Sequence, residues 1–319
     1  MFMRMYENFS GCRILSYCVM SNHFHLLLEV PPMTGGGLSD EELSKRLGAI
    51  YSEAQVAAVA VELAEARKCI AEGEAGESLV AGIHERFTYR MHDLSQFMKG
   101  LLIRFTRWFN RTHSRTGTLW EERFKSVIVE SGVAARTLAA YIDLNPVRAG
   151  MVSDPADYRW SSYGEAIGGG KKGNGRKARE GLVRAYFSDR EESGDPEKWK
   201  DVSRLYRRLM GIALEKKAGR AELRSGKVVK TKNTREMLES ADNETVLKEL
   251  GFARMLRCRV RYFTDGAVIG SREFVDEAFV AARERFGPKR KNGARKLRGV
   301  GTPAAETLWS MRDLRIGIS

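Results

Sequence analysis

Cysteine, proline and histidine are scarce in this chain, at 4, 7 and 5 of its 319 residues. The four cysteines (Cys12, Cys18, Cys69 and Cys258) are scattered and form no Cys-x-x-Cys. That excludes a zinc ribbon or a disulfide framework and leaves reduced, structural thiols. No apolar run reaches the roughly 18 residues that a membrane-spanning helix needs, so no membrane partner is expected. Met1 to Ser10 is polar and aromatic and lacks the basic start and apolar centre of a secretory signal, which makes the cytoplasm the expected location. No internal repeat is visible. The length allows one large domain or two modest ones with a well-buried core.

Positive charge is in excess. The formal net charge is +13 and the pI is near 9.6. Residues 1–85 carry 6 Lys+Arg against 12 Asp+Glu, residues 86–165 carry 12 against 8, and residues 166–319 carry 36 against 21. A basic balance of this size is a usual footprint of a polyanion partner, chiefly nucleic acid, although a merely solvated basic surface gives the same sum.

The stretch Tyr17-Cys18-Val19-Met20-Ser21-Asn22-His23-Phe24-His25-Leu26-Leu27-Leu28-Glu29-Val30 has the length and apolar flavour of a buried strand. Alternation along a strand puts His23 and His25 on one face and Phe24 and Leu26 on the other. Two imidazoles side by side suit a divalent metal, since neutral imidazole nitrogen is the commonest protein ligand for such ions. On spacing alone such a pair is more often structural or surface than metal-binding. Before this stretch, residues 1–9 read as the end of a helix. After it come Pro31-Pro32 and a Gly35-Gly36-Gly37 connection, then one or two amphipathic helices with an acidic outer face from Leu38 to about Glu77.

A further helix is predicted over His92–Arg111, with Leu94, Phe97, Met98, Leu101, Phe105 and Trp108 inward. Its other side carries Lys99, Arg104, Arg107 and Arg111 and runs into a loop with His113 and Arg115. Such a face is either simply solvated or holds a phosphate backbone. Leu119 to Glu130 alternates as a strand. Ala134 to Val147 reads as a helix ended by Pro146, with Tyr141 and Asn145 four apart on one face. These two are either a core tyrosine beside a C-terminal Asn cap or a functional pair. Trp160-Ser161-Ser162-Tyr163 reads as a packing cluster, and Gly168 to Gly175 as a basic linker and the clearest boundary. Beyond it, helices are expected at Trp199–Leu214, Arg235–Leu250 and Phe274–Phe286, the last N-capped by Ser271. Gly226–Lys232 reads as a basic loop and Lys289–Arg298 as a basic tail.

Several of these motifs, in this order, resemble the REP-associated tyrosine transposases, members of the single-tyrosine HUH nucleases. The matching residues are Cys18-Val19-Met20-Ser21-Asn22-His23-Phe24-His25-Leu26-Leu27-Leu28-Glu29, then Phe109-Asn110-Arg111 with Gly117-Thr118-Leu119-Trp120 and Arg123-Phe124-Lys125. Tyr141-Ile142-Asp143-Leu144-Asn145-Pro146-Val147-Arg148-Ala149-Gly150 and Trp160-Ser161-Ser162-Tyr163 complete the set. The resemblance covers roughly residues 12–165, apart from the acidic insertion at about 38–85.

The resemblance implies an α+β class, with a ferredoxin-like antiparallel sheet and helices on one face over 1–165. A basic linker and helix over 166–235 and a mostly helical basic extension over 236–319 would follow. It implies Tyr141 as nucleophile, His23, His25 and Asn145 as ligands of a divalent metal (Mg²⁺ or Mn²⁺), and DNA contacts from Lys99, Arg104, Arg107, Arg111, Arg115, Arg123, Lys125 and Arg148. The implied substrate is single-stranded DNA with REP-like hairpins, cut and rejoined through a 5′-phosphotyrosine by a monomer or homodimer. Family members begin with a strand and most of a helix before the segment matching Cys12 to Glu29. About 11 residues precede it here, so a chain shortened at its start, and less stable for an exposed strand edge, is expected. Two other functions remain open: a non-catalytic hairpin-binding relative, and a replication-initiation nuclease that shares the chemistry.

Overall fold

A computed structural model describes residues 2–33, 35–71, 76–169, 173–190, 195–207, 209–210, 263, 266–296 and 307–312. The chain is α+β. It divides into two compact units, Met1–Ile14 with Leu28–Phe124, and Leu15–Leu27 with Lys125–Ser319. This division follows neither the expected bound at residue 165 nor that at 235.

The first unit is helical: α1 (Phe2–Ser10), α2 (Asp40–Leu47), α3 (Glu53–Ala71), α4 (Gly76–Thr88) and α5 (Leu94–Thr112). The Ser39 side chain caps α2 by accepting from Glu42 N–H. Asp40, Glu41 and Glu42 fill its first turn and Lys45 and Arg46 its last, the order that the helix dipole favours. Asp93 caps α5 in the same way, accepting from Gln96 N–H. From Leu38 to about Glu77 the acidic stretch is two helices, α2 and α3, within the expected one or two, and α4 follows them. Its Leu43, Leu47, Val59, Leu63 and Val80 share one core with Phe9 of α1, so α1 is part of this unit's packing. On α5, Phe97, Met98 and Leu101 are buried as the spacing predicts, whereas Trp108 is 39% exposed. Gly100 has a role of its own: any side chain there would collide with the Tyr6 ring, so its bareness lets α1 lie against α5.

The second unit holds α6 (Val133–Asp143), α7 (Asn145–Arg148), α8 (Ser162–Gly168), α9 (Gly173–Tyr186) and a helical run over 199–207. One core joins Ala139, Ala140 and Tyr141 of α6, Tyr163 and Ala166 of α8, Ala178 and Leu182 of α9, and Tyr206. The expected linker at Gly168–Gly175 therefore falls between two helices that share a core. The helix expected over Ala134–Val147 is broken at Leu144, and Pro146 begins the next turn rather than ending the last. Proline's fixed φ and missing N–H suit the first turn of a helix. In the packing cluster, Ser161, Ser162 and Tyr163 are buried, but Trp160 is 54% exposed and lies under the Arg159 guanidinium.

The histidine stretch is two strands, β1 (Arg13–Val19) and β2 (Phe24–Glu29), paired as a hairpin whose ends belong to the first unit. The turn is closed by Met20 N–H donating to His23 O at 2.8 Å. Ser21 and Asn22 supply the turn chemistry that interrupts the predicted single strand. On the outer side of β1, Val19 N–H donates to Trp160 O, and Tyr17 N–H to Ser162 Oγ.

A separate four-stranded mixed sheet has the order β3 (Ile128–Val129), β4 (Gly266–Gly270), β6 (Trp309–Arg312) and β5 (Arg295–Lys296). β3 pairs parallel with β4, and β6 pairs antiparallel with β4 and β5. The strand predicted over Leu119–Glu130 is thus reduced to two residues. The C-terminal part, expected to be mostly helical, supplies three of the four strands. Val268 and Met311 of the sheet pack against Val275 and Phe279 of the helix Arg272–Ala281, which Ser271 caps as predicted. The expected helix at Arg235–Leu250 and the loop at Gly226–Lys232 lie outside the described residues. No described helix is long and apolar enough to cross a membrane.

Candidate active site

The second unit brings His23, His25, Tyr141, Asn145 and Arg148 into one neighbourhood. His25 stands on β2 and His23 at the mouth of the hairpin turn, so the alternation argument holds across the strand start. Their ring centroids are 5.1 Å apart at 87°. His23 is exposed and its Nδ1 meets Asn22 Oδ1 at 2.8 Å. His25 is half-buried. Desolvation, with the neighbouring charge of His23 and Arg148, lowers its pKa to about 4. It is therefore a neutral imidazole near pH 7, the form that ligates a cation.

Tyr141 lies on α6 with 1% of its surface exposed. Its ring sits 6.4 Å from that of His25, edge to face, and 4.4 Å from that of Phe263. Arg148, two turns further on, places its Cζ 3.8 Å over the Tyr141 ring. The same guanidinium donates to Tyr141 O and to Asn145 Oδ1, both at 2.8 Å. Asn145 Nδ2 in turn donates to Ile142 O. Arg148, expected as a DNA contact, is thus half-buried and holds the tyrosine helix to the turn that follows it. Burial raises the Tyr141 pKa and the Arg148 charge opposes that rise. The Tyr141 Oη atom is buried with no hydrogen-bond partner among the described residues.

Behind the site, Asp143 is completely buried. Tyr163 N–H donates to its Oδ1 at 2.9 Å and Tyr206 Oη–H to its Oδ2 at 2.8 Å. Desolvation outweighs these bonds and pushes its pKa up to about 7. Cys18, also buried, has its thiol pushed up to about 12 by desolvation and then by Asp143. It is a packed thiol, inert as a nucleophile.

His23 and His25 fit a divalent ion as two of its ligands: they converge on one face, and His25 is held neutral. Asn145 offers an amide oxygen that Arg148 already engages. No group of three His, Cys, Asp or Glu that could hold a metal ion gathers among the described residues.

The other expected DNA contacts are placed elsewhere. Lys99, Arg107, Arg111, Arg115, Arg123 and Lys125 are exposed, all but Lys125 in the first unit. Arg104 is spent on structure, donating to Ile50 O at 2.8 Å and lying over the Tyr6 ring. Asn110 holds the following loop by donating to Gly117 O, and Trp120 packs on Phe105 and donates to Thr106 Oγ1. Phe263 and Tyr206 as neighbours of the tyrosine helix, and Asp143 as its buried carboxylate, went unforeseen. Of these only Asp143, inside a matched motif, left any trace in the sequence. No family model matches the chain, and neither a curated protein nor a solved structure is detectably similar to it.

Proposed function

We propose that this chain is a single-tyrosine strand transferase of the HUH type, with a ferredoxin-like ancestry for the hairpin and its helices, acting on single-stranded DNA beside hairpins as REP-associated transposases do. The observation that supports it is the meeting of His23, His25 and Tyr141, residues remote in sequence, with Arg148 stacked on the phenol ring.

The chemistry follows from these groups. The enclosed Tyr141 phenol must first be uncovered, whereupon it gives up its proton to water, and Arg148 favours the resulting phenolate by its charge. The oxygen attacks the scissile phosphorus, a P–O bond to Tyr141 forms, and the 3′ oxygen leaves as a free 3′-OH after taking a proton. A phenol, with pKa near ~10, is a better leaving group than an alkoxide, so a second 3′-OH can displace Tyr141 and reseal DNA without a nucleotide cofactor. His23 and His25 would hold a divalent cation, Mg²⁺ or Mn²⁺, which when bound would supply positive charge to the scissile phosphate. Arg148 keeps α6 and α7 in register while this happens.

The enclosure of Tyr141 Oη favours a second reading, a protein that binds hairpin DNA and does not cut it. One experiment separates the two. Single-stranded hairpin DNA from around the gene, labelled at either end, is incubated with Mn²⁺ and the wild-type or Tyr141→Phe protein. A covalent adduct carrying the 3′-side fragment, absent with the variant and with EDTA, is the expected result. Binding without any adduct establishes the non-catalytic protein.

A further inference from the structure

The first unit carries a groove of about 720 Å³ between α1, the α2–α3 connection and α5. Its composition is unusual for a unit with an acidic insertion: four arginines and four aromatic residues line it, and no Asp or Glu does. Trp108 is 39% exposed and Ile103 42%, so the α5 wall of the groove is open to a ligand. Phe2 meets Trp108 edge to face at 6.1 Å, which fixes the indole plane. On the opposite wall Arg90 donates to Tyr51 Oη at 2.5 Å and keeps a buried Nε–H with no hydrogen-bond partner among the described residues. Arg107 and Arg111, one turn apart on α5, are exposed and form no ion pair among the described residues.

Uncompensated guanidinium groups flanking aromatic faces are what an unpaired base and its phosphates require. The base stacks on a π-face and the phosphates take bidentate bonds from arginine. A double helix, with its bases stacked inward, offers no base to such a wall, and an acidic peptide would leave the aromatic faces unused. We propose that this groove is a binding site for single-stranded DNA, in which a base stacks on Trp108 and the flanking phosphates lie on Arg107 and Arg111. The Tyr51–Arg90 wall comes from the inserted helices and their edge, so the insertion builds half of the site. The inference rests on the proposed action on single-stranded DNA and names where that strand is held.

The test uses the full chain and a fluorescein-labelled oligothymidylate of roughly 12 nucleotides, within the usual span of such sites. Anisotropy titrations compare wild type, the Arg107→Glu/Arg111→Glu double variant, Trp108→Ala, and a Lys289→Glu/Lys291→Glu control with the same change in net charge. The groove double variant is expected to lose at least about tenfold in affinity and the control less than about threefold. The salt dependence of the groove variant should flatten by about two phosphate contacts. Trp108→Ala should lose roughly five- to a hundredfold. If it fails to fold, photocrosslinking of 5-bromouracil DNA to the wild type replaces it, with the adduct expected on the peptide that contains Trp108.

Equal losses in the groove variant and the control overturn the proposal, as does a crosslink confined to other peptides. Tighter, groove-dependent binding of RNA of the same length overturns its assignment to DNA. A tyrosine adduct that forms normally while groove variants bind as wild type does refutes the groove alone. Groove-dependent binding with no adduct under any condition refutes the strand-transfer reading and leaves the groove standing.

Discussion

Asp143 is the residue whose titration the fold should report most clearly. It sits in a fully buried pocket two residues from Tyr141 and accepts hydrogen bonds from Tyr163 N–H and Tyr206 Oη–H, with the Ser161 hydroxyl also facing it. Its pKa is about 7 in the folded chain against an ordinary 3.8. Between those values the unfolded chain gives up the proton and the folded chain keeps it, so stability falls as pH rises from about 4 to about 7 and levels off above. A gap of about three pH units corresponds to about 4 kcal/mol. Asp143→Asn keeps the shape and removes the titration. Its stability minus that of wild type should therefore climb by about 4 kcal/mol between pH 4 and 7 and be flat above. Urea unfolding followed by circular dichroism at half-unit steps of pH measures this difference, and subtraction cancels the groups common to both proteins. Parallel curves across the window would refute the claim that desolvation outweighs the hydrogen bonds, and a difference of opposite slope would show Asp143 held as a stabilised carboxylate.

Three further outcomes follow from single contacts. Phe263 covers the Tyr141 ring at 4.4 Å, so Phe263→Ala should raise the rate of adduct formation severalfold per folded molecule; an unchanged rate in single-turnover assays means that this ring does not limit access. Gly100→Ala should lower stability by about 1–3 kcal/mol, because its methyl group must displace the Tyr6 ring, and a melting temperature equal to wild type would contradict that close approach. Mn²⁺ at about a hundred times its Kd should stabilise the wild type by roughly 3 kcal/mol. His25→Ala should abolish that increment and His23→Ala should weaken it, whereas an increment retained in both variants places the ion elsewhere.

Residues close in sequence were legible without coordinates, and residues brought in from afar were not. The cap at Ser271, the inward face of α5 and the shared face of His23 and His25 all follow from periods of 3.6 and 2 and from side chains that bond their own backbone. The mixed sheet was missed because β3, β5 and β6 are two to four residues long, and β4 pairs with partners 140 and 43 positions away, as in Ile128–Val268 and Val268–Met311. No local pattern specifies such pairings, and isolated runs this short carry too little periodicity to be recognised.

The same distinction runs through the candidate site and bears on its chemistry. The histidine pair and Tyr141 were singled out from their types and spacing, but what governs the phenol is Arg148 above one part of the ring and Phe263 beside it. Arg148 was read from its charge as a surface contact for DNA. A charge on the last turn of a short helix, three residues after a motif asparagine, is equally free to fold back, and Asn145 Oδ1 with Tyr141 O gives it two acceptors for doing so. Burying that guanidinium lowers its own pKa and is tolerable only because those acceptors and the ring face replace water. The buried Arg148 charge is therefore also the one that offsets the desolvation of the phenol, and on the proposed mechanism removing it should impair Tyr141 as a nucleophile more than it impairs binding of the strand.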